Sequence, residues 1–568
     1  MISEIMDRLR WNYSSQSAEY ILGDENAGNY KLGQLIAEEY YRLTGEHKYL
    51  ESAFEFNERA KAYNLLSTIR DQRAMKFGGI PDNLIEQEAE LNTWISGYRE
   101  LVYAEEQLEN PDREKIAYWQ NEIFKLGDRH DKLVSFFEKN YPDYFSLKYD
   151  TEVISTGKIR NRLRKDEVIL EYSLMDSVLF TYVISRDEEK VFRQELDTGF
   201  RSECLEYYNV LTRQSFSYGA RKTFADYTRL GYGLYQVLIE PVRDEIEGRN
   251  LVIIPDGEIS YISFESLVSS PVDPEEMNYY KVPYLIKEYG FSTSYSSTVH
   301  FTEVPRKKKP RGDILAFAPT YDNISGVTIT DNPTRQADRE RLIRIPGVLE
   351  EVDKISKILN TRIYMDLSAT ESAFKKNASD YRLLHLAMHT LLNDATPLYS
   401  KLAFTQLVDT VDDGFLHTYE IYNLQLNADM AVLSSCSSGY GNLREGEGLQ
   451  SLARGFAYAG CPSILMTLWE VSDNSTVEVM ERFYHYLGKG DSKPEALHKA
   501  KIDFLANADQ LKSNPFFWSS FVLIGNTDPV YTPNLLQILL NIGLLLLPLP
   551  VFLVLYRSYR KKMKSRLN

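Results

Sequence analysis

The sequence predicts an α/β fold built on a parallel sheet and preceded by a long helical region. Residues 383–388 and 430–433 are short apolar runs of the length of a buried strand, and each ends abruptly in a polar segment of small residues. Parallel strands deliver their carboxyl ends to one edge of a sheet, so we expect the residues after both runs to meet there. Residues 18–144 instead show a helical pattern throughout.

His389 and Cys436 follow these two runs and are the candidate catalytic residues. An imidazole beside a thiol takes the thiol proton, and the resulting thiolate attacks a carbonyl carbon. We therefore assign His389 as the base and Cys436 as the nucleophile. A cysteine in an apolar run is more often a small buried hydrophobe, but Cys436 comes after its run, among serines and before Gly439.

His385 lies four residues before His389, a spacing that would suit a metal ion if the segment were a helix. The His-Glu-x-x-His pattern is absent, and on a strand His385, Ala387 and His389 share one face. We therefore interpret His385 as a structural neighbour. A metal-dependent hydrolase that uses both histidines is a third hypothesis, which requires activity lost to a chelator and insensitive to Cys436→Ser.

Composition limits the classes of protein that the chain can represent. With 568 residues, 43% of them hydrophobic, the chain can bury large cores, and its length predicts three or four units. A net charge of −16 argues against general nucleic-acid binding, so no nucleic-acid partner is expected. The cysteines Cys204, Cys436 and Cys461 are too few for a disulfide framework. Acids within residues 1–8 lead us to expect no secretory signal.

Residues 1–150 form the predicted helical unit. Residues 37–60 resemble one tetratricopeptide repeat, in which small residues let two helices approach and Gly45 ends the first of them. A single repeat cannot bury its own faces. Either the flanking helices are degenerate repeats, or the chain is the carboxyl-terminal part of a longer repeat protein; a plain helical bundle is the other interpretation. Residues 83–140 predict a long helical hairpin.

Residues 151–304 form the next predicted unit. Residues 168–173 and 179–184 are predicted as paired strands joined by a short turn, and residues 250–254 as a further buried strand. A basic stretch at residues 305–312 follows and is most simply an exposed linker. Cleavage of this linker by basic-specific proteases, including the protein itself, is the alternative.

Residues 313–530 form the predicted second half of the α/β body. Residues 313–318 are predicted as a strand, and a helix begins near Pro346 with acids in its first turn. Glycines and acids in residues 439–448 predict a loop over the candidate site, which lacks the phosphate-binding pattern Gly-x-x-x-x-Gly-Lys-Ser/Thr. Residues 463–469 are predicted as another buried strand.

Several motifs of this second half, in this order, resemble the CHAT family of clan CD cysteine peptidases, relatives of caspases, gingipains and separase. The motifs are HLAMHT (385–390), PLYSKL (397–402), AVLSSCSSG (431–439), EGL (447–449), LARGFAYAG (452–460), LWEVSD (468–473) and FFWSSF (516–521). The resemblance spans residues 313–528, and residues 259–267 extend it into the preceding unit. It is far more specific than an isolated cysteine and histidine.

The resemblance implies a caspase-like fold in which His389 and Cys436 form the catalytic dyad. Residues 151–304 would then be a pseudo-caspase half without a dyad, and residues 313–530 the catalytic half. The resemblance also implies that the backbone amides of Thr390 and Cys436 hold the oxyanion. The residue after the histidine is usually glycine in the relatives. A β-branched residue adopts a positive φ only at a cost, so either the backbone at Thr390 is ordinary or the oxyanion site is altered.

Substrate preference is predicted from acidic residues near the candidate site. An acid at the base of the first specificity pocket would favour a basic substrate residue, because a buried carboxylate without a cation is costly. Asp473 is the first candidate, through its resemblance to a separase-like segment, and Glu445 and Glu447 are weaker ones. Asp473 also precedes a predicted helix, so a helix cap is an equal alternative.

The function predicted from these observations is a membrane-anchored cysteine endopeptidase that cuts protein after a basic residue. We expect a protein substrate and a protein regulator that binds the helical repeats. The chemistry needs neither a cofactor nor a metal. The alternative is a catalytically inactive caspase-like scaffold for protein interaction, and Thr390 is the feature in its favour.

The predicted membrane anchor is the apolar segment of residues 535–555, which is long enough to span a bilayer. Pro548 and Pro550 would kink it, as membrane helices tolerate. The basic tail of residues 556–568 follows. The positive-inside rule places this tail in the cytoplasm and the body on the other side, which conflicts with the expected lack of a signal. Membrane localisation is therefore predicted, with its side open.

Overall fold

Six described helices form the amino-terminal region in this computed structural model. The structure describes residues 16–106, 108, 110–212, 219–303, 309–321, 338–339, 341–393, 396–406, 412–434, 439, 441–444, 447–471 and 473–531. The six helices are α1 (Gln16–Thr44), α2 (His47–Arg59), α3 (Tyr63–Phe77), α4 (Asp82–Glu106), α5 (Arg113–Asn140) and α6 (Pro142–Lys148). The predicted helical region is confirmed.

Two helical hairpins organise this region. Gly45 lies between α1 and α2 with φ +69°, in the left-handed region that glycine adopts without steric cost. The turn brings α1 beside α2, and the ring centroids of Tyr40 and Tyr49 lie 5.3 Å apart. The second hairpin is α4 with α5. Its turn ends at Asp112, whose carboxylate accepts two backbone N–H groups of the first turn of α5.

Strands β1 to β16 follow, and eleven of them form one sheet. In chain order the strands are β1 (Glu167–Leu174), β2 (Val178–Ser185), β3 (Glu189–Glu195), β4 (Asn250–Ile254), β5 (Phe291–Thr293), β6 (Gly312–Ala318), β7 (Thr361–Met365), β8 (Tyr381–Leu386), β9 (Thr390–Leu391), β10 (Lys401–Ala403), β11 (Phe415–His417), β12 (Met430–Leu433), β13 (Gly441–Arg444), β14 (Gly448–Ser451), β15 (Ser463–Thr467) and β16 (Phe521–Gly525). The large sheet has the order β3-β2-β1-β4-β5-β16-β15-β12-β8-β6-β7.

The two predicted halves share this sheet. Strands β1, β4 and β5 are parallel, and β2 and β3 extend them as an antiparallel meander. On the other side β15, β12, β8, β6 and β7 are parallel. Strand β16 joins the two parts, because it pairs antiparallel with β15 and parallel with β5. The predicted α/β fold is confirmed.

Helices cover the sheet, as a mostly parallel sheet requires. They are α7 (Thr156–Arg162), α8 (Phe200–Thr212), α9 (Ala220–Leu238), α10 (Arg243–Ile246), α11 (Ser297–Phe301), α12 (Gly347–Ile358), α13 (Glu371–Asn377), α14 (Thr418–Asn423), α15 (Leu452–Tyr458), α16 (Asp473–Gly488) and α17 (Lys493–Asn507). Where a loop was predicted over residues 439–448, the described residues instead form β13, which pairs with β14 as an antiparallel hairpin.

The helical region docks on the sheet through buried charged groups. Lys61 lies 3.0 Å from Glu171 of β1, and both side chains are buried. The carboxylate of Glu58 accepts the backbone N–H groups of Ser297 and Thr298 at 2.9 and 2.6 Å. Burial and the neighbouring Glu171 raise the pKa of Glu58 well above its ordinary value. A buried carboxyl of this kind is stable only with partners, so the docking geometry is specific.

The predicted membrane localisation is wrong for the described structure. No helix in the part of the chain that the structure describes is both long enough and apolar enough to cross a membrane. The prediction rested on the hydropathy and length of one segment alone. Residues 535–555 and 556–568, the predicted anchor and tail, lie outside the described residues.

The docking of α1 on the sheet predicts a pH-dependent stability. Burial raises the pKa of Glu38 from its ordinary 4.5 to about 7, against a smaller opposing effect of Arg193. Folding therefore favours the protonated carboxyl, and its contribution to stability is lost as the pH rises from about 4.5 to 7. Glu38→Gln is neutral at every pH. We therefore compare the free energy of unfolding of the variant with that of the wild type. We expect this difference to be about 2 kcal/mol more favourable to the variant at pH 8 than at pH 4, a figure that allows for partial hydration of the carboxyl.

Urea denaturation of both proteins at the two pH values measures this difference. Glu39→Gln, an exposed carboxylate on the same helix, is the control and should show a much smaller pH-dependent change. An equal difference between wild type and Glu38→Gln at pH 4 and pH 8 would contradict the argument.

Candidate active site

The ends of β8 and β12 lie side by side. The two strands are parallel neighbours, and Leu433, the last residue of β12, pairs with Leu386, the last residue of β8. His389 and Cys436 each come three residues after these paired positions. Cys436 and residues 435–438 as a whole lie outside the described residues, so the dyad stays a prediction that this strand register supports.

His389 has a defined hydrogen-bond partner at one ring nitrogen. Its Nε2 lies 2.7 Å from the carbonyl oxygen of Ile343, in the segment before α12. A carbonyl only accepts hydrogen bonds, so Nε2 carries the proton and donates it. This assigns the tautomer from the hydrogen-bond partner and leaves Nδ1 as the basic nitrogen of the neutral imidazole.

Tyr321 holds the backbone at His389. Its hydroxyl accepts the N–H of His389 at 3.0 Å and donates to the carbonyl of Ala403 at 2.6 Å. The carbonyl of His389 in turn accepts the N–H of Ala403 at 3.0 Å. Tyr321 has φ +61°, a left-handed conformation that is costly for a residue with a bulky side chain. The two hydrogen bonds of Tyr321 hold the backbone of His389 beyond the end of β8 and offset the cost of this conformation.

The backbone at Thr390 is ordinary. Thr390 opens β9, where it pairs with Leu402 of β10. Among the described non-glycine residues, a positive φ occurs at Ala62, Tyr321 and Asp366 and not at Thr390. Of the two alternatives drawn from the sequence, the structure has the one with an unstrained backbone.

The described residues on either side of Cys436 are anchored. The hydroxyl of Ser434 donates to Oε1 of Glu351 at 2.6 Å. The N–H of Gly439 donates to the carbonyl of Thr467 at 2.9 Å. A Cβ at position 439 would lie 2.8 Å from Sδ of Met466, so only glycine fits against β15 here without a shift.

A cavity of about 90 Å³ lies between the two halves beside Gly439. Its lining is mainly apolar and includes Ile259, Phe264, Met466 and Leu468. It lies against the sheet where β5, β16 and β15 are neighbours. An apolar group of a ligand would fit such a cavity best.

Three carboxylates among the described lining residues each have a basic partner. Asp256 lies 3.1 Å from Nζ of Lys31. The other two ion pairs are Glu265 with Lys501 and Glu447 with Arg454. These acids are therefore already neutralised, and the cavity has no unpaired described acid to attract a basic side chain.

Glu447, one of the predicted pocket acids, has a second partner besides Arg454. Its Oε1 accepts the backbone N–H of Asn64 at 2.9 Å, in the first turn of α3. Arg454 is completely buried on α15, and the neighbouring Tyr458 and Glu447 outweigh the effect of burial and raise the pKa of its guanidinium. Glu447 thus joins the chain after Cys436 to the helical region.

The other two predicted pocket acids are less fully defined. Asp473 is the first residue of α16, which is compatible with either a cap or a pocket role. Nothing more is described of its side chain. Glu445 lies outside the described residues.

Three contributors to the site have no distinctive sequence signal. They are the hydroxyl of Tyr321, the carbonyl of Ile343 and the carboxylate of Glu351. Every residue carries a carbonyl, so nothing marks that of Ile343. The acid of Glu351 lies in an amphipathic helix, where acids are ordinary.

The fold and the site together define an α/β protein with a candidate cysteine–histidine pair at the sheet edge. A family model described as "CHAT domain" matches residues 228–526, more than half of the chain. The chain therefore belongs to the CHAT domain family, and the resemblance seen in its motifs is confirmed.

Known proteins show similarity to part of the chain. The human Tetratricopeptide repeat protein 28 is 23% identical over 351 residues, which cover 53% of this chain. The chain spans only 13% of that protein's length.

Among solved structures, separase in the Saccharomyces cerevisiae separase–securin complex has a TM-score of 0.36 at 11% identity, over 84% of this chain and 41% of that one. RgpB of Porphyromonas gingivalis, as a complex of its pro- and mature domains, has a TM-score of 0.31 at 11% identity, over 52% and 71%.

The pair of Glu447 and Arg454 predicts a large effect on stability. Arg454→Met leaves the buried carboxylate without its cation, so we expect a loss of about 3–5 kcal/mol in the free energy of unfolding. The double variant Glu447→Gln/Arg454→Met removes both charges, so its free energy of unfolding should fall clearly less than that of Arg454→Met alone. Urea denaturation measures both values.

Arg221→Met is the matched control for this prediction, because Arg221 pairs with Glu275 at the surface. This substitution should lower the free energy of unfolding by less than about 1 kcal/mol. Equal losses in the free energy of unfolding for Arg454→Met and Arg221→Met would show that the buried pair matters no more to stability than the surface pair.

Proposed function

We propose that the chain is a cysteine endopeptidase of the CHAT type, with Cys436 as nucleophile and His389 as base. The observation that carries this proposal is the register of β8 and β12, which brings the chain three residues before His389 beside the chain three residues before Cys436. The hydrogen bond from Nε2 of His389 to Ile343 supports it, since Nδ1 is then the nitrogen that can receive a proton.

The proposed reaction has two halves. Nδ1 of His389 takes the thiol proton, and the sulfur of Cys436 forms a bond to the peptide carbonyl carbon. The amides of Thr390 and Cys436 bind the oxyanion of the tetrahedral intermediate. The C–N bond then breaks, and the amine leaves with the proton held on Nδ1. Water, deprotonated by the same nitrogen, attacks the thioester and releases the acid and the free thiol.

We further propose that cleavage follows a basic substrate residue. The acids that line the apolar cavity have cationic partners of their own, so the charge that would recognise a basic residue falls to Asp473 and Glu445. Glu447 could contribute only after release from Arg454. Loss of a carboxylate partner from a buried site is expensive, which makes this third acid the weakest of the candidates.

Regulation through the helical region is supported by contacts on both sides of the site. On one side Asn64 of α3 bonds Glu447, after Cys436. On the other, Tyr103 of α4 stacks on Tyr399 with ring centroids 3.6 Å apart, and its hydroxyl accepts a hydrogen bond from Asn393 at 2.8 Å. A protein that binds the helices and shifts them would thus move the chain after His389 and after Cys436 together.

The inactive scaffold is the second candidate function. Thr390 stands where the relatives usually have glycine, and its backbone is extended within β9. In this alternative the α/β body serves only to bind another protein, and the thiol of Cys436 has no special reactivity.

Covalent labelling separates the two functions. We expect an Arg-directed acyloxymethyl ketone to label the wild type at Cys436 and to fail with Cys436→Ala and with His389→Ala, because one lacks the nucleophile and the other the base. A Leu-directed probe of the same type is the matched control for the pocket. Asp473→Asn should weaken labelling by the Arg probe at least about tenfold and leave the Leu probe nearly unchanged.

Mass spectrometry of the labelled peptides identifies the modified residue. If neither probe nor a nonspecific thiol reagent singled out Cys436, the scaffold would become the better account. Preferential labelling by the Leu probe, unaffected by Asp473→Asn, would retain the peptidase and reject the basic preference.

The contact of Tyr103 predicts coupling between the helices and the site. Tyr103→Ala removes the stacking on Tyr399 and the hydrogen bond to Asn393. We expect labelling of Cys436 to slow by a factor of about 3 to 10, a typical coupling between linked sites. Tyr118→Ala removes an aromatic ring that is 58% exposed on α5 and is the control. Equal labelling rates in both variants and the wild type would reject the coupling.

A further inference from the structure

Four polar residues, three buried and one half-buried, form a cluster next to the ends of β8 and β12. They are Glu351, His385, Ser434 and Tyr484. The side chain of His385 has no exposed surface, that of Glu351 is 3% exposed, and Tyr484 is completely buried. A carboxylate and an imidazole are costly in such a place unless each has polar partners.

One carboxylate oxygen connects the cluster. Oε1 of Glu351 accepts the hydroxyl hydrogen of Ser434 at 2.6 Å and lies 3.3 Å from Nε2 of His385. The other ring nitrogen of His385, Nδ1, lies 3.0 Å from the hydroxyl oxygen of Tyr484. Burial, and then the charge of Glu351, raise the pKa of Tyr484 well above its ordinary value, so Tyr484 stays a neutral phenol.

Each member of the cluster lies on an element that carries part of the proposed site. His385 comes four residues before His389 on β8, and Ser434 comes two residues before Cys436. Glu351 is in α12, just after the segment whose Ile343 carbonyl bonds His389. Tyr484 is in α16, which begins at Asp473. The cluster therefore links the four elements around the site, since Glu351 contacts Ser434 and His385, and His385 bonds Tyr484.

The packing of α12 against α16 does not by itself require a carboxylate at position 351. Lys354 of α12 already pairs with Glu481 of α16 at 2.9 Å on the surface. An apolar side chain of similar size in place of Glu351 would avoid the cost of a buried charge. What an apolar side chain could not supply is the hydrogen bond to Ser434, where β12 ends.

We propose that Glu351 is a positioning residue that fixes the nucleophile segment through Ser434. It holds Ser434 against α12, and so fixes the end of β12 from which the chain continues to Cys436. This inference rests on the proposed peptidase function. It adds that the reactivity of Cys436 depends on a carboxylate that acts through Ser434.

Alkylation of Cys436 by iodoacetamide tests the inference without any need for turnover. Near pH 6 an isolated thiol with a pKa of about 8.5 is well under 1% ionised, so the rate reports the ionisation that His389 promotes. Cys204 and Cys461 are buried, and peptide mass spectrometry follows them in the same sample. They become reactive only if a variant unfolds, which separates misplacement of the thiol from misfolding.

We expect Ser434→Ala and Glu351→Gln to slow alkylation of Cys436 about tenfold, the scale of a small misplacement of reacting groups. Ser434→Thr keeps the hydroxyl and should restore much of the rate. Glu350→Gln removes an exposed carboxylate from the same helix and should match the wild type. Ser434→Ala removes a single oxygen atom, so it keeps the test valid if Glu351→Gln exposes Cys204 and Cys461.

Wild-type rates for Ser434→Ala with intact burial of Cys204 and Cys461 would overturn the inference while leaving the peptidase proposal untouched. A wild-type Cys436 that reacts no faster than a free thiol would instead refute the proposed function, and the positioning role would fall with it. A rate that drops for Ser434→Ala and recovers for Ser434→Thr supports the positioning role, since a lost general packing contact would not be restored by the hydroxyl.

Discussion

The pairing of β8 with β12 decides where the chemical groups of this protein lie. Both strands lie in the interior of an eleven-stranded sheet, and each has a second parallel neighbour, β6 for β8 and β15 for β12. A slip of one residue would turn every side chain of a strand to the opposite face, which a strand buried on both sides cannot do without disrupting its packing. The register therefore also limits where the residues after the two strands can lie. The hydrogen bonds of Tyr321, Ile343 and Ser434 add further constraints on these positions.

Buried ionisable residues connect the helical region to the α/β body. The seam between the helical region and the α/β body contains Glu58, Lys61 and Glu171, and the chain after Cys436 contributes the pair of Glu447 and Arg454. Buried charges of this kind stabilise little in themselves, but they penalise any arrangement that separates the partners. These pairs thus favour one position of the helices relative to the candidate site, and a shift of the helices costs free energy. For the same reason acids near the site cannot be taken as pocket acids until their partners are known.

Much of the fold could be predicted from the local pattern of apolar and polar residues. The apolar runs before His389 and Cys436 are β8 and β12, and the helical pattern became α1 to α6. Motif order identified the family. What the sequence could not show are interactions between distant residues: the hydroxyl of Tyr321 on the backbone of His389, or the pairing that occupies Glu447. Hydropathy also misled, because an apolar segment of sufficient length was taken for a membrane anchor, and the described helices include none that could span a membrane.

The most direct test of the account is the distance from Cys436 Sγ to the two ring nitrogens of His389 in an experimental structure of the unmodified protein. The account predicts that Nδ1 lies within about 4 Å of the sulfur while Nε2 stays bonded to the carbonyl of Ile343. A sulfur that faced Nε2, or that lay well beyond hydrogen-bond reach of both nitrogens with the loop ordered, would contradict the catalytic dyad.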